Sequence, residues 1–143
     1  MASKNEEEIR KISVELRMLE QTAEALQSRL SMLNAVSQDL TYANMTLDSL
    51  EKENSELLVP IGGTSYIRAK LDNPDKIIVG IGAGVSVEKT RQEAKEVIKK
   101  RLEDLEKART STQQQFAQVA QRINEDRERF EDLAATVRGE KTS

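Results

Sequence analysis

The fold is decided by residues 58–89, which read LVPIGGTSYIRAKLDNPDKIIVGIGAGVSVEK. This stretch holds both prolines, Pro60 and Pro74, and every glycine except Gly139, so the strong helix breakers are gathered in one place. Most of its apolar residues are β-branched, whereas the flanks are rich in Leu, Ala, Glu, Lys, Gln and Arg, which favour helices. The chain therefore reads as a helix, a small β segment and a second helix.

Composition limits the class of protein. Of 143 residues 37% are apolar and 3% aromatic, which is little for one compact globule. Charged residues make up 33% with a net charge of −3, so we expect neither nucleic acid nor membrane as a partner. Without Cys or His there is no thiol nucleophile, imidazole base or usual zinc ligand, and we expect no enzyme, metal or cofactor. No signal peptide or run of about 20 apolar residues is present, which predicts a soluble cytoplasmic protein.

The first flank, residues 5–57, predicts a coiled-coil helix. Ser3 with Glu6, or Asn5 with Glu8, offers a capping box at its start. Apolar residues then alternate in steps of three and four, as in a heptad repeat: Ile9, Ile12, Leu16, Leu19, Ala23, Leu26, Leu30 and Leu33. Beyond Leu33 the apolar row shifts, and it continues through Val36, Leu40, Ala43, Leu47 and Leu50.

The second flank, residues 90–138, predicts another helix. Thr90 with Glu93 forms a capping box, and Gly139 is suited to the position just after a helix end. Two rows follow the heptad spacing: Ile98, Leu105, Thr112, Val119, Asp126 and Leu133, and Leu102, Arg109, Phe116, Ile123, Phe130 and Val137. The polar members, Arg109, Thr112 and Asp126, weaken this seam.

The two predicted helices have nearly equal lengths, about 50 residues or roughly 75 Å each. A small insert between equal amphipathic helices lets them fold back as an antiparallel hairpin, in which each covers the apolar stripe of the other. The alternative is a parallel homodimeric coiled coil formed by the first helix alone.

The insert itself predicts four short strands, at residues 58–61, 65–71, 76–81 and 84–89, separated by Gly-, Asn- and Pro-containing turns. Isolated hairpins are marginally stable, and four strands of one chain leave unpaired edges. We therefore expect several subunits to join their inserts into a larger sheet or barrel. The residues expected to mediate this assembly are Val59, Ile61, Tyr66, Ile67, Ile77, Ile78, Val79, Ile81, Val85 and Val87.

Four motifs resemble functional sites but have simpler explanations. Residues 80–84 (GIGAG) lack the third glycine and the βαβ context of a dinucleotide loop, and a tight turn accounts for them. The acidic residues 6–8 suit the first turn of a helix, where the dipole favours negative charge. The basic residues 99–101 lie among acids, as on a solvated face, and Asp126 with its acidic neighbours has no pocket-forming core for acid/base catalysis.

Residues 58–70 (LVPIGGTSYIRAK) and 78–90 (IVGIGAGVSVEKT) resemble the connector of α-class subunits of the prefoldin family, and the helix–connector–helix layout agrees over nearly the whole chain. The resemblance implies an archaeal-type subunit of an ATP-independent chaperone, a heterohexamer of two α and four β subunits. Its connectors form a double β-barrel, and its coiled coils hold unfolded client proteins for a group II chaperonin. A structural coiled-coil scaffold without chaperone activity is the alternative.

The antiparallel hairpin also predicts where clients bind. It places the first apolar residues of one helix beside the last of the other, where fraying exposes them: Ile9, Ile12, Leu16, Phe130, Leu133 and Val137. Modest apolar surface repeated on several arms binds many unfolded sequences through multivalency. These six side chains also complete the heptad, and that structural role alone is the simpler explanation.

Overall fold

The computed structural model describes residues 3–50 and 54–142, with side chains through Glu140. Its elements are α1 (Lys4–Ser49), β1 (Glu56–Gly62), β2 (Ser65–Lys70), β3 (Ile77–Gly82), β4 (Val85–Lys89) and α2 (Arg91–Thr142). The predicted class, two long helices with two β-hairpins between them, is confirmed. The chain forms two compact units, residues 1–34 with 107–143 (unit 1) and residues 35–106 (unit 2).

Both helices begin at the predicted capping residues. The hydroxyl of Ser3 accepts a hydrogen bond from the Glu6 N–H at 3.2 Å. At the start of α2 the Glu93 N–H donates to Thr90 Oγ1 at 3.2 Å, and the Thr90 N–H donates to Glu93 Oε1 at 3.0 Å. The bond from the Thr90 N–H, and next the Thr90 hydroxyl, hold the pKa of the Glu93 carboxyl below its usual value.

Both predicted helix ends are wrong. Helix α1 ends at Ser49, not at residue 57, because the chain is already extended at Ser55, whose carbonyl accepts from the Leu71 N–H at 2.9 Å. Residues 51–53 of the predicted helix lie outside the described residues. Helix α2 runs to Thr142 and contains Gly139, which does not adopt the positive φ of a helix cap. An interior glycine costs only about 1 kcal/mol relative to alanine, so it does not end the helix.

The insert consists of two antiparallel hairpins with the same design. In each, a two-residue turn joins the strands: Gly63-Thr64 with φ of 55° and 58°, and Ala83-Gly84 with φ of 51° and 74°. Positive φ at both positions defines a type I′ turn, whose twist matches that of the paired strands. A bulge precedes each turn, and the patterns Val-x-Ile-Gly at residues 59–62 and 79–82 repeat at an interval of twenty.

The core of unit 2 lies where the second hairpin packs on the two helices. Its buried members are Leu47, Leu50, Val79, Ala94 and Ile98, with Ala94 fully buried. Two arginines of α2 tie this core to main-chain carbonyls: Arg91 donates to the Leu50 oxygen and Arg101 to the Gly80 oxygen, each at 2.5 Å. The second hairpin is therefore fixed on the helices by both apolar and polar contacts.

In unit 1 the helix segments pair antiparallel along the predicted seam. As the α1 partner advances by seven residues, from Glu8 to Glu15, the α2 partner retreats by seven, from Arg129 to Arg122; both ion pairs measure 2.7 Å. The buried seam positions are Ile12, Thr112, Ile123, Asp126 and Val137. The observed pairing of the two helices within one chain favours the hairpin over the parallel homodimer.

Candidate functional site

The ten hairpin residues predicted to mediate assembly divide into two groups. Val79 is buried and Ile77 is half-buried, because both belong to the packing of the second hairpin on the helices; Val87, which lies opposite Val79, is half-buried as well. The remaining seven are exposed: Val59, Ile61, Tyr66, Ile67, Ile78, Ile81 and Val85. The structure thus leaves a large apolar surface on both hairpins without cover in the described part of the chain.

The first hairpin is the more exposed of the two. Val59 lies opposite Ile67 in the register, and Leu58 on the alternate face is 66% exposed. Only Leu57 and Leu71 of this region pack against the buried core cluster. Leu58 was missing from the predicted set, although its place between two apolar neighbours was a signal that both faces of β1 are apolar.

A cleft of about 370 Å³ lies beside β3 in unit 2. The apolar side chains of Leu40, Leu47, Ile77, Ile78 and Val79 contribute to its wall, as does Arg101. The guanidinium of Arg101 lies at the edge of β3, where it donates a hydrogen bond to the carbonyl oxygen of Gly80. The charge pattern predicts a solvated basic run at Arg101 and gives no sign of this contact, because the contact joins residues that are 21 positions apart in the chain.

The six predicted client-binding residues all lie in unit 1. Ile9, Phe130 and Val137 contribute to one open apolar cleft of about 490 Å³, together with Glu131, Ala134 and Arg138. Ile12, Leu16 and Leu133 lie outside that lining. The expectation that all six are partly exposed is wrong for Ile12 and Val137, which are buried because they fill the seam.

Asp126 is the most unusual group in unit 1. It is 5% exposed, its Oδ1 lies 3.6 Å from Arg122 Nε, and its Oδ2 has no hydrogen-bond partner among the described residues. Burial, and next the charge of Glu15, raises the pKa of the Asp126 carboxyl, while Arg122 opposes the shift. A buried carboxyl oxygen without a partner costs free energy, so Asp126 bears on stability.

No helix in the described part of the chain is long and apolar enough to cross a membrane.

The family model described as prefoldin subunit matches residues 4–135, which is most of the chain. The chain belongs to the prefoldin family. Prefoldin subunit alpha of Methanococcoides burtonii is 34% identical over 125 residues, which cover 86% of this chain and 91% of the relative. Prefoldin subunit alpha of Pyrococcus horikoshii is 32% identical over 126 residues, 86% of this chain and 85% of the relative.

A solved structure supports the same assignment. The cryo-EM structure of filamentous PFD from Methanocaldococcus jannaschii superposes with a TM-score of 0.67 at 27% identity. The match covers 77% of this chain and 93% of the solved chain. The resemblance that the connector sequence suggested is therefore confirmed, and so is the prefoldin arrangement of helices and hairpins.

Proposed function

We propose that this chain is the α-type subunit of a prefoldin chaperone that binds non-native polypeptides without nucleotide and delivers them to a group II chaperonin. The observation that carries the proposal is the exposed apolar surface of the hairpins in a member of the prefoldin family. Such surface needs cover from other subunits, and the α-type relatives identify the class of subunit. We place the complex in the cytoplasm and assign it no enzymatic activity.

The proposed complex contains two copies of this chain and four prefoldin β subunits. The hairpins join the subunits, with the side chains of Val59, Ile67 and Ile78 among the contacts. A β-hairpin that stands alone is marginally stable, and pairing with neighbouring hairpins satisfies the free strand edges.

A charge placed in this interface tests the assembly. Ile67→Lys or Ile78→Lys should weaken the hexamer, because an unpaired charge buried between subunits costs several kcal/mol. Helicity should stay near the wild-type level, because both side chains are exposed within one chain. Sedimentation with the β subunit measures the effect, and Ser86→Lys, an exposed polar position of β4, is the matched control. A full hexamer with both lysine variants would refute assembly through these positions.

Client binding is proposed for the cleft at the chain ends, with Ile9, Phe130 and Val137 in its wall and Ile12, Leu16 and Leu133 supporting the seam beneath. Removing residues 1–12 together with 130–143 should abolish suppression of client aggregation while the hexamer still forms. The point variants Ile9→Ser and Phe130→Ser test the cleft with less disturbance. Undiminished suppression by hexamers altered only in this chain would place client capture on the β subunits.

An aggregation assay separates this function from a structural scaffold. A chaperone keeps a denatured client in solution at near-stoichiometric ratio without nucleotide, and a scaffold does not. Native mass spectrometry of the chain with candidate β subunits then gives the stoichiometry of the complex.

A further inference from the structure

An exposed apolar row lies on α1 outside the seam. Val14, Met18 and Met32 are 57%, 63% and 69% exposed, and Ala25 between the two methionines is exposed as well. Their spacings of four, seven and seven residues put them on one side of the helix. All four lie in unit 1, and together they are called the Val14 stripe below.

The Val14 stripe lacks the charged residues that are usual on a solvated helix face. Gln21 and Ser28, which fill the gaps of the same row, are uncharged, so no charge falls on the row between Val14 and Met32 although 33% of the chain is charged. Helix α2 provides the comparison: none of its described residues is an exposed large apolar side chain. Its outward positions carry residues such as Gln114, Gln118 and Gln121. The outer faces of the two paired helices therefore differ in chemistry.

The size and spacing of the stripe restrict its occupant. A partner helix in a coiled coil needs two apolar rows that alternate every three and four residues, and here one row recurs mainly every seven. One valine, one alanine and two methionines present well under the ~800 Å² per partner that a stable protein interface buries. A folded partner or a second copy of this chain would gain too little from such a surface.

We propose that the Val14 stripe binds extended apolar segments of non-native polypeptide. Methionine side chains are unbranched and polarizable, so they adapt to different apolar side chains. Each contact is weak, and contacts on several copies add through multivalency. The proposal rests on the chaperone function and extends its binding surface from the cleft at the chain ends to the outer face of α1.

Because the sequence contains no cysteine, a single introduced thiol can be labelled at a chosen position. Ser28→Cys places one thiol within the stripe and Gln118→Cys places one on the outer face of α2, and each is labelled with a benzophenone. The labelled chains are assembled with the β subunit, mixed with guanidinium-denatured citrate synthase and irradiated. We expect the Ser28 label to give at least fivefold more cross-linked citrate synthase than the Gln118 label.

A triple variant, Val14→Gln, Met18→Gln and Met32→Gln, should reduce the Ser28 cross-link about fivefold, with unchanged hexamer and helicity because glutamine is a good helix former. Ser substitutions at Gln114 and Gln121, which leave both label positions free, are the control and should change neither yield. Two outcomes would refute client binding by the Val14 stripe while leaving the chaperone function intact, provided that the complex still suppresses aggregation. The first is an equal cross-link yield at the two labels, and the second is a Ser28 yield that the triple variant leaves unchanged. Cross-links between copies of this chain without citrate synthase would also refute client binding by the stripe. Failure of the wild-type complex to suppress aggregation would refute the chaperone function as well.

Discussion

Replacing Asp126 by leucine should stabilise the protein, although it removes a charged group with an arginine nearby. Asp126 is 5% exposed in the seam of unit 1, and its Oδ2 has no hydrogen-bond partner among the described residues. The ion-pair distance from its Oδ1 to Arg122 Nε, 3.6 Å, is long for a charge-assisted hydrogen bond. The carboxylate has therefore lost water without an equivalent replacement.

The magnitude follows from two stabilising contributions and one opposing cost. Removing a buried oxygen that lacks a hydrogen bond should raise the free energy of unfolding by about 1–3 kcal/mol. Burying a leucine side chain contributes about 1.5–3 kcal/mol relative to leaving it exposed. The larger side chain introduces packing strain of about 1–3 kcal/mol. We expect Asp126→Leu to raise the free energy of unfolding by about 2 kcal/mol at neutral pH. Asp126→Asn, which removes the charge and keeps the shape, should give a smaller gain.

The gain should depend on pH with a definite sign. Because the pKa of Asp126 is raised on folding, the folded state holds this proton more tightly than the unfolded state. Above the folded-state pKa the ionised carboxylate therefore lowers the free energy of unfolding of the wild type by its full amount. This loss of stability disappears as the pH falls through that pKa towards the pKa of the unfolded state. The difference between Asp126→Leu and wild type should narrow over the same interval.

Urea unfolding of the full-length chain, followed by circular dichroism at several pH values, measures this difference. Amide hydrogen exchange at residues near 126 locates the gain in unit 1. Stability equal to or below wild type at neutral pH would show that the attraction between Asp126 and Arg122 outweighs the cost of burying the carboxylate. A gain that stays constant with pH would show that packing alone is responsible.

Four further predictions concern local structure. Thr90→Ala should lower stability by about 1 kcal/mol in thermal unfolding, and Thr90→Ser should restore it. Because the pKa of Glu93 is lowered, its contribution is present at neutral pH and should be lost as the pH falls through the folded-state pKa; Glu93→Gln should remove that dependence in the same experiment. Thr64→Gly should stabilise the first hairpin by about 1 kcal/mol in urea unfolding, because a β-branched residue at φ of 58° is strained, and a loss would contradict this explanation. Ala94→Leu should cost about 1–3 kcal/mol in urea unfolding, because Ala94 has no exposed surface; an unchanged midpoint would show that the cluster can rearrange.

Much of the helical architecture was predictable because it depends on local chemistry. The three- and four-residue spacing of the apolar rows predicts which faces pair, and the polar seam members Thr112 and Asp126 are buried at the positions that the spacing assigns. The capping box of Thr90 and Glu93 is likewise a local pattern. These features need no knowledge of distant contacts.

The errors arise where distant contacts decide. Helix α1 ends at Ser49 because the chain beyond it pairs with Leu71, and no local breaker marks that end. Val79 is buried while Ile78 is 77% exposed, and strand alternation alone does not say which face of a hairpin meets the helices. The Val14 stripe was missed because apolar residues were assigned only to the seam.

The repeat of Val-x-Ile-Gly at an interval of twenty has a consequence for how growth of an assembly stops. In the language of polymer chemistry, a chain with two attachment elements is a bifunctional monomer. Monomers of this kind extend into open chains or close into rings, whereas a monofunctional monomer terminates growth. If each hairpin binds one neighbouring subunit, disabling a single hairpin converts this chain from a linker into a terminator. The ratio of chains with two working hairpins to chains with one then sets the size of the assembly.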